Sequence, residues 1–225
     1  MTRMTSARVA GFTFLFYIAV AYPSLVLMNR VTDAGGTAAN LAAIAEHTSD
    51  IRLVIVLTVI SCFCAVVLAV TLYAITRDVD HELAMLIMAC RVCEGALGAV
   101  GIPNMVTLLS LGTGGAGTDA PDVATSNALR SFLLMPGQST MVGAPFFTVG
   151  SLIFSYLLLR GRIVPLSLAW LGLLASALVV VGMPLQIAGY LKGPVTAYMW
   201  LPMLAFEVPL GLWLLVKGAA MPGTR

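Results

Sequence analysis

The chain has 225 residues, 60% of them hydrophobic and only 10% charged, and its formal net charge is +2. So small a charge, spread between apolar runs, excludes a nucleic-acid-binding surface, and runs of that length exclude the short elements of a water-soluble core. The composition predicts one all-α integral-membrane domain over residues 1–225, with the lipid bilayer as its partner.

A helix needs roughly 20 apolar residues to cross the hydrocarbon core, and six runs reach that length. The first extends from about Val9 to Met28. Arg3 and Arg8 ahead of it look like the start of a secretory signal, but the run continues through Tyr22 and Pro23 without a small-x-small cleavage site, so an uncleaved span is expected. The connection Asn29 to Asp50 contains TAANLAAIAEH, which places Leu41, Ile44 and Ala45 on one face and predicts a short helix on the membrane surface. The second span runs from about Ile51 to Ile75. The short turn TRDVDHE then leads into the third, about Leu83 to Leu111. In that third span Gly95, Gly98 and Gly101 form a narrow strip for close backbone approach, and Pro103 predicts a kink.

The next connection, Gly112 to Gly137, holds GTGGAG, which satisfies G-x-G-x-x-G in letters only. A dinucleotide loop needs a strand before it, whereas a membrane helix precedes this one, so it reads as a linker. Further along, SNALRSFLLM clusters Leu129, Phe132 and Leu133 and predicts a second short loop helix. The fourth span covers about Gln138 to Leu159, the fifth about Ile163 to Tyr190 and the sixth about Ala197 to Val216.

An even number of spans puts both termini on one side. That side collects Arg3, Arg8, Arg77, Arg160, Arg162, Lys217 and Arg225, against Arg30, Arg52, Arg130 and Lys192 opposite. The positive-inside rule therefore predicts cytoplasmic termini in a multi-pass protein of the inner (plasma) membrane.

Cys62 and Cys64 fall in the second span, Cys90 and Cys93 in the third. Residues two apart on a helix point about 200° apart, so the first pair cannot share a ligand set. CRVC does bring Cys90 and Cys93 to similar faces, yet His47 and His81 both lie in loops. Buried apolar thiols are the expectation, with redox chemistry at Cys90 and Cys93 a lesser alternative. The twelve methionines read as gap-filling in a helix bundle. No metal and no cofactor is expected.

Inside the apolar runs stand three ionisable residues. Counted from the end of the third span, Arg91 lies about 12 Å deep and Glu94 about 16 Å deep, and Glu207 in the sixth lies about 15 Å from the same side. All three approach the middle of a core about 30 Å thick, where a charge costs about 2.5 to 3.5 kcal/mol. Such residues face a bundle interior, a partner or water. Arg91 has two candidate carboxylates, and a bridge to Glu207 is expected to tie the third helix to the sixth, with Glu94 either joining the network or staying protonated. A second polar tier, Asp50, Arg52, Asn104, Gln138 and Gln186, lies nearer the outer face, where it would line a cavity floored by the charged cluster or satisfy local loops and kinks.

TAANLAAIAEHTSDIRLVIVL, LYAITRDVDHELAMLIMACRVCEG and the closing FEVPLGLWLLVKG together resemble the bacterial integral-membrane family known as domain of unknown function 4386. The resemblance covers nearly the whole chain. It implies an Arg in the third helix, matched by Arg91, a Glu before WLLVKG, matched by Glu207, and an Arg opening the second helix, matched by Arg52. It supplies no reaction. Two function classes follow from the residues. In one, the cluster binds or transports a small molecule or ion, with Arg91 as an anion contact and Glu94 or Glu207 as a proton-coupled group. In the other, the ion pairs only hold an accessory membrane subunit, whose protein partner the sequence does not identify. An intramembrane enzyme comes third, because no zinc-type His pair or G-x-S-x-G elbow is visible.

Overall fold

The computed structural model describes residues 2–32, 46–112 and 140–219. Seven α-helices are present among them: α1 Arg3–Thr32, α2 Thr48–Thr76, α3 His81–Gly112, α4 Thr140–Arg160, α5 Leu166–Ile187, the short α6 Val195–Tyr198 and α7 Leu201–Val216. Six stretches are long and apolar enough to cross a membrane, the last combining α6 and α7 as Val195–Val216. The two short helices expected around Leu41 to Ala45 and Leu129 to Leu133, the GTGGAG linker beyond Gly112, and Gln138 lie outside the described residues.

The helices exceed the apolar runs at some ends and fall short at others. α1 begins at Arg3, ahead of its apolar run, because backbone hydrogen bonding continues into the polar first turn, where Ser6 N–H donates to the Thr2 carbonyl at 3.0 Å. The sixth span is divided at Met199 and Trp200. Pro202, in the first turn of α7, has no N–H to offer the preceding turn, so the chain closes α6 and starts again. α3 runs on through Pro103, and Pro23, Pro145, Pro184 and Pro209 are likewise enclosed in helices.

Each long helix packs on the next long helix in sequence, and α7 packs on both α5 and α1, which closes a ring. Within it lie Phe14, Leu68, Leu72, Phe154, Phe206, Leu210 and Leu214. The outside is equally apolar: Phe12, Phe63, Val70, Leu174 and Val181 are exposed. A face of that composition belongs against lipid. Hydroxyls buried in the helices are absorbed locally, as Thr13 donates to the Val9 carbonyl at 2.8 Å and Thr76 to that of Leu72 at 2.8 Å.

The start of α1 and the end of α7 lie at one end of the ring, the terminal end, together with the 77–80 turn. Arg3 meets Asp78 at 3.5 Å, Arg160 meets Asp80 at 2.9 Å, and the Met4 side chain packs on Gly218. From this terminal end to the middle of the bundle the core is one cluster that draws buried residues from all six long helices and reaches Ile87, Phe147 and Met203. Among the described residues two smaller groups lie beyond that level. Ile51 and Leu108, with Met28, form one group among α1, α2 and α3, while Val179, Met183 and Met199, with Ala144, form another among α4, α5 and the 195–200 segment.

Candidate functional site

Close approach between α3 and α4 creates the site. A side chain added at Gly143 would meet the Glu94 backbone at 3.3 Å, and one at Gly150 would meet the Cys90 Cβ at 3.0 Å. These two glycines, seven residues apart, share one face of α4 and lie on either side of Phe147, so that ring is pressed against α3. On the other flank, Gly95 and Gly98 admit α2, with a Cβ at Gly95 falling 3.0 Å from the Cys62 carbonyl. Gly95 of the expected strip therefore sets the approach of a neighbouring backbone, while a Cβ at Gly98 would meet only the Cys62 side chain.

Arg91 occupies the space this packing leaves, and it is 1% exposed. Its Nη1 donates to Glu94 Oε2 at 2.9 Å and its Nη2 to Ser151 Oγ on α4 at 3.1 Å. The guanidinium lies between two rings, 4.8 Å from the Phe147 centroid and 5.7 Å from that of Phe14. This is favourable cation–π geometry in a buried place. From α1, the Tyr17 hydroxyl donates to the other Glu94 oxygen, Oε1, at 2.9 Å. At 1.5 Å per residue, Arg91, Ser151 and Glu207 all lie about 14–15 Å from the terminal ends of their helices.

The expected Arg91 to Glu207 bridge does not form. Arg91 pairs with Glu94 instead, three residues along its own helix, where one face already brings the groups together and Tyr17 holds the carboxylate from behind. Glu207 is 8% exposed and close enough to feel the charges of Arg91 and Glu94, yet it takes part in no ion pair among the described residues. The ties between helices come from Tyr17 and Ser151. Tyr17→Phe removes one of them and is expected to lower stability by about 1 kcal/mol, the worth of a single net hydrogen bond, in thermal unfolding of the purified protein.

Of the second tier, Asp50, Arg52, Asn104 and Gln186 lie within the described residues. Asp50 faces His47, the residue just ahead of its helix, at 3.5 Å, Arg52 and Asn104 are exposed, and Gln186 keeps a buried Oε1 without a partner. No hydrogen bond or ion pair joins these residues to one another among the described residues. Cys64 and Cys90 are buried and Cys62 and Cys93 partly so, all four as free thiols.

Sequence reading missed Phe14, Tyr17, Phe147, Ser151 and Ser155. A signal for two of them was present: Thr148, Ser151 and Ser155 follow a three-then-four spacing that stacks hydroxyls on one face of α4, and all three are buried. Ser155 Oγ and Arg91 Nε are buried without a hydrogen-bond partner.

The model of the family described as domain of unknown function (DUF4386) matches residues 9–218. The chain belongs to that family. No curated protein and no solved structure matches it. In this DUF4386 member the match takes in all six membrane-crossing stretches, apart from the first residues of α1, and all four polar contributors to the cluster, Tyr17, Arg91, Glu94 and Ser151, with Glu207 beside them.

Proposed function

We propose that this DUF4386 protein is a proton-linked multi-pass membrane protein in which Glu207 takes up and releases a proton within the bilayer. One observation carries the reading: two carboxylates, Glu94 and Glu207, are buried in the ring with one guanidinium, and that guanidinium is committed to Glu94. An ionised carboxylate without a paired cation is costly in a medium of low dielectric, and a proton neutralises it at the least steric expense. Arg91 is a poor anion contact here, because Glu94, Ser151 and two rings already enclose it.

We place the termini on the cytoplasmic side of the plasma membrane, which the basic residues at the terminal end support. The second reading, a purely structural cluster, is favoured by the chain of bonds Tyr17–Glu94–Arg91–Ser151, which joins α1, α3 and α4.

Infrared difference spectra across a pH step separate the two. The proton-linked reading expects a carbonyl band from a protonated carboxylic acid that is lost in Glu207→Gln, with the variant folded and about as stable as the wild type because no ion pair is broken. Spectra of variant and wild type that coincide would leave the structural reading.

A further inference from the structure

Arg91 Nε and Ser155 Oγ are both buried without a hydrogen-bond partner in the protein, one on α3 and the other on α4, the helix packed against it. Arg91 is 1% exposed and Ser155 0%. An N–H and a hydroxyl left unpaired among apolar side chains are costly, and two such groups on touching helices form the kind of polar gap that a buried water fills.

Ser155 differs from other hydroxyls in the bundle. Thr13, Thr58, Thr71 and Thr76 each donate to the carbonyl four residues back on their own helix, at 2.8 Å in every case. Ser155 makes no such bond to Ser151, so its hydroxyl is free to face the neighbouring helix.

The guanidinium fixes the direction. In this planar group the Nε–H runs parallel to one N–H of Nη2, so the two donate along one edge. Nη2 donates to Ser151 Oγ at 3.1 Å, and the Nε–H therefore also points toward the hydroxyl face of α4. Ser155 is the next hydroxyl on that face toward the terminal end, about 6 Å from Ser151 along the axis. Phe14 borders both groups: its ring lies 5.7 Å from the Arg91 guanidinium and 6.4 Å from the ring of Phe154, the residue beside Ser155. Two hydrogen bonds end to end through one water oxygen span about 5.5–6 Å, the scale of one helical turn.

We propose that one water molecule is bound between Arg91 Nε and Ser155 Oγ as a fixed ligand of the charged cluster. It accepts from the Nε–H and bonds to the Ser155 hydroxyl, with the Ser151 hydroxyl as its third partner. The chain Tyr17–Glu94–Arg91–Ser151 is thereby carried one turn of α4 nearer the terminal end. A guanidinium does not give up its proton in a protein, so this water positions Arg91 and is not a relay for Glu207. The site stands whether or not Glu207 titrates.

Radiolytic hydroxyl-radical labelling of the full chain in detergent, read by mass spectrometry, tests the site, because a bound water yields radicals where bulk solvent does not reach. Phe14 and Phe154, although buried, are expected to be labelled in the wild type, and Phe206, equally buried but packed on Gly172 of α5, to stay unlabelled. Ser155→Ala is expected to lose that labelling and to lower Tm by a few degrees, because the water loses a partner and the Nε–H is left alone. A hydroxyl that had no partner would give the opposite sign, since its removal relieves a buried polar atom. Phe14 and Phe154 labelled no more than Phe206 in the wild type, labelling that survives in Ser155→Ala, or a Tm unchanged or raised in that variant would each overturn the proposal.

Discussion

Arg91→Leu is expected to cost about 3–5 kcal/mol of stability, the loss associated with removing one partner of a buried ion pair. The leucine leaves the Glu94 carboxylate enclosed with only the Tyr17 hydroxyl, strips Ser151 of its donor, and takes the cation from between Phe14 and Phe147. Most of that loss is the penalty of an orphaned charge and not the net worth of the pair. The double variant Arg91→Leu with Glu94→Leu is therefore expected to recover much of it, since an apolar pair of fair fit is tolerated where half a salt bridge is not. Arg91→Lys falls between, because an ammonium lacks the planar fork that reaches Glu94 and Ser151 together. Denaturant titration in detergent micelles gives all three values. An Arg91→Leu protein as stable as the wild type would mean that the cluster does not hold the bundle.

The second large effect is expected at Gly11, where α1 meets α7. A Cβ there would lie 2.5 Å from the Leu215 nitrogen, 2.6 Å from the Gly211 carbonyl oxygen and 3.0 Å from the Leu214 carbonyl carbon. All three are backbone atoms, which no change of rotamer can move. Overpacking costs about 1–3 kcal/mol where side chains can shift, and Gly11→Val should reach or exceed the upper value because two whole helices must part. That contact also closes the ring, so parting it disturbs the cluster on both sides. Gly98→Ala is the control: its Cβ would meet only the Cys62 Sγ, at 3.3 Å, and a small effect is expected. Equal losses from the two substitutions would show that the α1–α7 approach is not limiting.

The six membrane-crossing stretches and the shared depth of Arg91, Glu94 and Glu207 were legible in the residues alone. Each depends on a property that acts locally or sums along the chain: the length of an apolar run, the cost of a charge in lipid, and a rise of about 1.5 Å per residue. The glycines of α3 were legible for a similar reason, since a missing side chain invites a neighbour whichever helix supplies it.

Which helix supplied it, and which carboxylate Arg91 took, were decided only by the tertiary structure. Depth puts Glu94 and Glu207 at one level, but partner choice depends on the rotation of α3 and α7 about their axes and on how far α4 enters at Gly143 and Gly150. The same rotation brought in Tyr17 and Ser151, whose hydroxyls look ordinary in sequence, and left Asp50, Arg52, Asn104 and Gln186 apart although they share a tier. Hydrophobicity specifies that a helix crosses the bilayer, and with lipid as apolar as the core it gives weak instruction about which face turns inward; that choice falls to packing at contacts of 3 to 4 Å between residues far apart in the chain.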